Sequence, residues 1–178
     1  MCAASVSNQR LCLVYTTMRA MRLAGWLVAS VFSAGLLCAQ ITVSGDIPQT
    51  LTLTAGDLAS MPRSTLAYKN ERGEELHYEG VLLYDVLKRA GAPLGKQLSG
   101  KGMASYVLAE ASDGYQVVLA LAEIDPAFTD NRILLADKLD GKPLPEKQGP
   151  FRLVVPQDKK GARSVRMLTR LTVVKLRK

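Results

Sequence analysis

The chain has 178 residues, 48% of them apolar and 22% charged, which is enough apolar material for one ordinary domain and excludes a disordered polymer. Its formal net charge of +7 is unevenly spread: residues 40–141 carry 9 basic and 14 acidic side chains, whereas residues 142–178 carry 11 basic and 2 acidic. That basic quarter lacks interleaved aromatics for stacking on bases, so the expected partner is a small anion or an acidic protein partner, with no nucleic acid.

Residues 1–39 differ from the rest. They hold Arg10, Arg19 and Arg22, no acid, and the apolar run LAGWLVASVFSAGLLCA ending at the small residue Ala39. A basic start, a short apolar core and a small residue at its end predict a signal peptide, and so a periplasmic or secreted protein with no membrane span after cleavage. Met18 or Met21 is a more ordinary start for such a leader, which makes residues 1–17 a candidate mis-assigned start. All three cysteines (Cys2, Cys12, Cys38) fall in this leader. The domain expected at residues 40–178 therefore has no thiolate, and its one histidine, His77, reads as a strand surface residue.

Past the leader, ITVSG and LTL read as strands, and Thr54 with Asp57 three residues on forms a capping signal for one helical turn that stops at Met61 and Pro62. RSTLAYKN and EELHYEG alternate with period two and predict a hairpin with a loop at residues 70–73. In GVLLYDVLKRAGAP the period changes: Leu82, Leu83, Val86, Leu87 and Ala90 share a helical stripe, closed by Gly91 and Pro93. MASYVLAEAS and YQVVLAL flank the turn signal Asp113-Gly114, and RILLADK leads to a second at Asp140-Gly141. KPLPEKQGP reads as loop before the strand FRLVVP. In SVRMLTRLTVVKL, Val165, Met167, Leu171 and Val173 alternate against Arg166 and Arg170, which predicts both arginines on one face of a last strand. The fold class expected is α+β: mostly β, mixed sheets with a few short helices.

The stretch FRLVVPQDKKGARSVRML places Lys159, Lys160, Arg163 and Arg166 around Gly161. Like charges so spaced repel unless an anion sits among them. Glycine allows close backbone approach and guanidinium groups bind phosphate bidentately, so the expectation is that Arg152, Arg163 and Arg166 converge with Gly161 on one concave surface. The alternative is a solvated basic strand and turn.

The order GVLLYDVLKRAG, DGYQVVLALAE, DGKPLP and GPFRLVVPQDKKGARSVRML resembles the molybdopterin-binding oxidoreductase domain of sulfite oxidases and bacterial sulfoxide reductases. The resemblance spans nearly all of residues 40–178, and GARSV preceded by RLVVP is its most specific part. It implies a sulfite oxidase-like fold and molybdopterin (the molybdenum cofactor). It assigns cofactor contacts to Arg152, Lys160, Gly161, Ala162, Arg163, Ser164 and Arg166. Arg152 would hold the phosphate, Arg166 stands where sulfite oxidases have a lysine with the same task, and residues 161–163 would wrap the pterin.

The departures matter as much. Family enzymes bind molybdenum through a cysteine in the segment that here reads STLAYKNERGEELHYE, and this segment has none. A histidine before the RLVVP run is also missing, with Lys147 and Gln148 in its neighbourhood, and Met167 replaces a tryptophan. The leader has no paired arginines, although cofactor-loaded proteins of this kind are exported folded by the twin-arginine route. Two functions follow: a non-catalytic module binding a small anion or protein partner, or a molybdopterin-dependent oxidoreductase acting on a sulfur or nitrogen oxide-type substrate, with Tyr68 or solvent in place of the thiolate. The first predicts no catalytic residues, no metal ligands and no bound cofactor.

Overall fold

The computed structural model describes residues 39–69 and 72–176. The leader up to Cys38, the loop residues Asn70 and Glu71 of the first hairpin, and the last two residues lie outside the described residues. Strands dominate: β1 (Gln40–Gly45), β2 (Leu51–Thr54), β3 (Arg63–Lys69), β4 (Glu75–Leu82), β5 (Ser105–Ala111), β6 (Gln116–Ala120), β7 (Leu134–Leu139), β8 (Lys142–Pro143), β9 (Arg152–Val154) and β10 (Leu168–Lys175). The helices α1 (Ala55–Ala59), α2 (Leu83–Arg89) and α3 (Leu121–Ile124) are short, as are three 3-10 turns at Gly95–Gln97, Gly100–Ala104 and Gly161–Arg163. Among the described residues no helix is long and apolar enough to cross a membrane.

Two five-stranded sheets result. The first runs β2-β1-β10-β5-β6, with β1 and β10 parallel and the other pairs antiparallel. The second runs β3-β4-β7-β8, with β9 also paired to β7, and is antiparallel throughout. Alternate residues of both sheets enter one core: Ile41, Val43, Val107, Leu119, Leu171 and Val173 from the first, Val81, Leu135 and Leu153 from the second. The opposite face of the second sheet carries a smaller apolar cluster of Leu66, Tyr68, Tyr78, Leu134, Ala136 and Val154. That second face positions the site.

Local signals explain much of this order. Thr54 caps α1, its hydroxyl accepting from the Asp57 N–H while the Asp57 carboxylate accepts from the Thr54 N–H, a reciprocal capping box. Asp140 and Gly141 both have positive φ (49° and 77°) and join β7 to β8 as a two-residue hairpin turn. The helical stripe is buried as expected at Leu83, Val86, Leu87 and Ala90. Leu82, however, belongs to β4, because Gly80, Val81 and Leu82 pair with Ala136, Leu135 and Leu134 of β7. A Cβ on Gly80 would lie 2.0 Å from the Leu135 carbonyl oxygen, so the two strands approach here only because residue 80 has no side chain.

The last strand also differs from its sequence pattern. Met167 adopts φ of 48°, in the left-handed region that few side chains occupy, and the register slips between Leu168 and Arg170 against β5. The alternation is interrupted twice. Arg170 stays on the sheet, 3.9 Å from Glu110, whereas Arg166 lies before the strand and outside its alternation.

Candidate functional site

Strand β9 is three residues long, and its alternation decides where Arg152 points. Phe151, Leu153 and Val155 enter the main core, and Arg152 and Val154 face the other way, opposite Ala136 and Leu134 of β7. Arg152 is therefore driven against the smaller apolar cluster and is only 7% exposed. Its Nη1 donates to the Tyr78 hydroxyl at 2.6 Å and to Gln148 Oε1, and Tyr78 in turn donates to Gln148 Oε1 at 3.1 Å. The guanidinium carbon also lies 4.9 Å from the centre of the Tyr78 ring. All these partners are neutral.

No carboxylate forms an ion pair with Arg152 among the described residues, and its buried Nε has no acceptor. Burial depresses its pKa and the charge of Arg166 does so further, while Tyr78 opposes the fall. A guanidinium remains charged despite such a shift. Burial likewise raises the pKa of Tyr78, only partly offset by Arg152, so at neutral pH its hydroxyl stays protonated and able to donate.

A cleft of about 670 Å³ opens over this pair, lined by Tyr68, Arg72, Glu74, Leu76, Tyr78, Gln148, Arg152, Lys160, Gly161, Ala162 and Arg166. Among the described residues, four cationic side chains and one carboxylate line it. A smaller pocket of about 290 Å³ shares Gly161, Ala162 and Arg166 with the cleft and adds Asp113, Tyr115, Lys147, Ser164 and Met167 among its walls. A Cβ on Gly161 would lie 2.8 Å from the Tyr68 hydroxyl oxygen, so a larger residue there would have to displace the Tyr68 side chain. Tyr68 is held in turn edge-on to Tyr78, with ring centres 6.1 Å apart.

The residues expected at the site separate into two groups. Arg152, Lys160, Gly161, Ala162 and Arg166 line one cleft. Arg163 does not, which corrects the expected convergence of three arginines. Its Nε and Nη2 grip the two oxygens of Asp158 at 2.8 and 2.6 Å, and its Nη1 donates to Glu123 at 2.8 Å. Two carboxylates already match that charge, and they raise its pKa. Ser164 is buried, and its Oγ accepts from the Val155 N–H, tying the basic loop to the end of β9. His77 is exposed on β4 as expected.

Sequence reasoning missed Tyr78 as a site residue and gave Gln148 no role beyond marking the place of an absent histidine. The period-two pattern of β4 puts Tyr78 opposite Leu66 and two residues from Leu76, on the face that Arg152 also meets. It does not say that a cation will share that face. Chemically, the cleft combines a buried guanidinium, unmatched among the described residues, with the further cations Arg72, Lys160 and Arg166 and the carboxylate of Glu74, a cationic excess suited to holding an oxyanion.

Comparisons with known proteins agree with this geometry at the level of fold and family. The structure matches the sulfane dehydrogenase SoxCD from Paracoccus pantotrophus with a TM-score of 0.62 and 20% identity, covering 78% of this chain and 38% of that one. At that identity the likeness is one of fold, and this chain spans well under half the length of its neighbour. No curated protein matches the chain. The model of the oxidoreductase molybdopterin binding domain matches residues 66–178, which include every residue of the cleft. With the sulfite oxidase-like fold also in place, the chain belongs to the oxidoreductase molybdopterin binding domain family.

Proposed function

We propose that this chain is an exported, non-catalytic member of its family that takes a small oxyanion in the cleft between Arg152, Lys160 and Arg166. The observation that supports this reading is the state of Arg152, recessed among neutral partners with an orphaned Nε and, among the described residues, no counter-ion. An unmatched buried charge is costly, and an oxyanion in the cleft would offset both that charge and the repulsion from Arg166. Export rests on the basic, apolar leader and its small residue at Ala39.

The donor set fits the phosphate end of a pterin cofactor and does not fit its metal. Molybdenum in this family needs a soft thiolate, and the only cysteines are at positions 2, 12 and 38, ahead of the fold. No cluster of three or more histidine, cysteine, aspartate or glutamate side chains suited to a metal occurs among the described residues. Tyr68 is a poor substitute, because a phenol has an ordinary pKa of about 10 and is a harder ligand than a thiolate. No oxygen-transfer step is therefore assigned to these residues.

Calorimetric titration with inorganic phosphate and sulfate, paired with metal analysis of protein from its native host, tests the reading. Wild type should bind one of these anions with an affinity that falls as salt rises, and Arg152→Met should lose about 1.5–3 kcal/mol of that binding. Molybdenum should be far below stoichiometric. Stoichiometric molybdenum, or pterin fluorescence released from the protein, would overturn the proposal in favour of an oxidoreductase acting on a sulfur or nitrogen oxide-type substrate.

A further inference from the structure

The wall of the cleft formed by Lys160, Gly161 and Ala162 belongs to a loop, and a loop lining a binding site must be held by something. We infer that Arg163 is a positioning residue for the oxyanion cleft: gripped by Asp158 and Glu123, its guanidinium fixes residues 160–162 in the cleft wall and does not itself bind the anion. This inference rests on the oxyanion reading above.

The connectivity supports it. Asp158 and Arg163 are five residues apart, and their bidentate pair closes a short arc whose interior is residues 159–162. Glu123 anchors that arc to the body of the protein, because one of its oxygens accepts from Arg163 and the other from the Ala120 N–H at the start of α3, at 2.9 Å. The Tyr115 hydroxyl adds a bond to the Ala162 carbonyl oxygen at 2.8 Å. None of Glu123, Asp158 and Arg163 lines the cleft or the adjoining pocket.

Electrostatics alone argues against such a cluster. Two carboxylates and one guanidinium sum to a net negative charge beside a cleft built for an anion, which weakens binding through space. The cluster favours the anion only through geometry, by ordering the arc before the ligand arrives and so removing that entropic cost from binding. This difference gives the test opposite signs.

Phosphate titrations on wild type, Arg163→Gln, Arg163→Lys and Glu123→Gln, with hydrogen exchange across residues 159–164, distinguish the roles. If Arg163 positions the loop, Arg163→Gln and Glu123→Gln should both weaken phosphate binding by about fivefold or more, and exchange in the arc should rise. Arg163→Lys should not restore affinity, since an ammonium cannot make the planar bidentate grip. Glu123→Gln keeps an oxygen for the Ala120 N–H, so α3 remains capped. Tighter or unchanged binding by Glu123→Gln would overturn the inference, as would full affinity in Arg163→Lys, which would mark Arg163 as a direct ligand. Failure of wild type to bind any oxyanion would sink the oxyanion reading itself, and unchanged exchange in the variants would separately sink the clamp.

Discussion

Arg152 uses one aromatic residue twice, donating to the Tyr78 hydroxyl at 2.6 Å and lying 4.9 Å from the centre of its ring. Both contacts stabilise a cation without cancelling its charge, so the floor of the cleft keeps a positive field. A carboxylate in the same place would have silenced it. Local stability is thereby exchanged for a standing attraction to anions, the pattern expected where a site and not the fold sets a residue's identity.

Arg152→Met should therefore separate stability from binding. Replacing a buried, unmatched charge by an apolar side chain of similar length should leave unfolding free energy unchanged or raise it by about 1 kcal/mol, even though two hydrogen bonds are lost. Phosphate binding should weaken by about 1.5–3 kcal/mol in the same variant. Urea denaturation of the two proteins checks it, and a loss of more than about 2 kcal/mol would identify Arg152 as a structural residue.

Gly161 and Tyr68 should be energetically coupled. In wild type, Gly161→Ala forces a methyl group against a phenolic oxygen at 2.8 Å, and Tyr68 cannot easily retreat because it packs edge-on to Tyr78. The expected cost is about 1–3 kcal/mol. With Tyr68→Phe the nearest ring atom is 4.0 Å away, an ordinary contact, so Gly161→Ala should become nearly neutral. A double-mutant cycle measures the difference, and additive effects would show that the close approach is not what demands glycine.

Gly80→Ala should be far more damaging. The added methyl would meet the Leu135 carbonyl oxygen at 2.0 Å and the Ala136 Cα at 2.7 Å, both backbone atoms of the neighbouring strand. Relief requires separating β4 from β7 where their register shifts. A loss of at least about 3 kcal/mol is expected from chemical denaturation. A mild effect would mean that β4 and β7 separate there at little cost.

The cap of α1 should give a pH signature. Asp57 is held below its ordinary pKa of 3.8, first by the Thr54 hydroxyl and then by the Thr54 N–H. A depressed carboxylate stabilises the fold fully above its unfolded value and loses that contribution as pH falls through the lowered folded value. Thr54→Ala should thus lower the thermal midpoint at neutral pH, and the gap from wild type should narrow as the solution is acidified below about pH 4. Midpoints measured across that range check it. A gap independent of pH would mean that the hydroxyl acts without the carboxylate.

Much of the secondary structure was legible because its causes are local. The reciprocal bonds of Thr54 and Asp57 span three residues, the turn at Asp140 and Gly141 is set by two adjacent backbone angles, and the stripe of α2 repeats within one short segment. The basic loop around Gly161 was likewise legible between apolar strands, and its residues Lys160, Gly161, Ala162 and Arg166 line the cleft. Leu82 counts on the helical stripe by its spacing yet ends β4, because it pairs with Leu134 of β7, more than fifty residues later in the chain. Periodicity cannot register a partner that distant.

What the chain alone determined is the inventory: which cations exist, that no thiolate follows Cys38, and which short elements will form. Only the tertiary structure decided which cations are available to a ligand. Arg152 and Arg163 look equivalent along the sequence, yet folding brings Arg152 to Tyr78, 74 positions away and neutral, and brings Arg163 to Glu123, 40 positions away and charged. The physical reason is that a guanidinium's availability is set by the charge of whatever lies within a few ångströms of it, and strand pairing and loop closure add distant neighbours, Tyr78 and Glu123, to the near ones, Gln148 and Asp158.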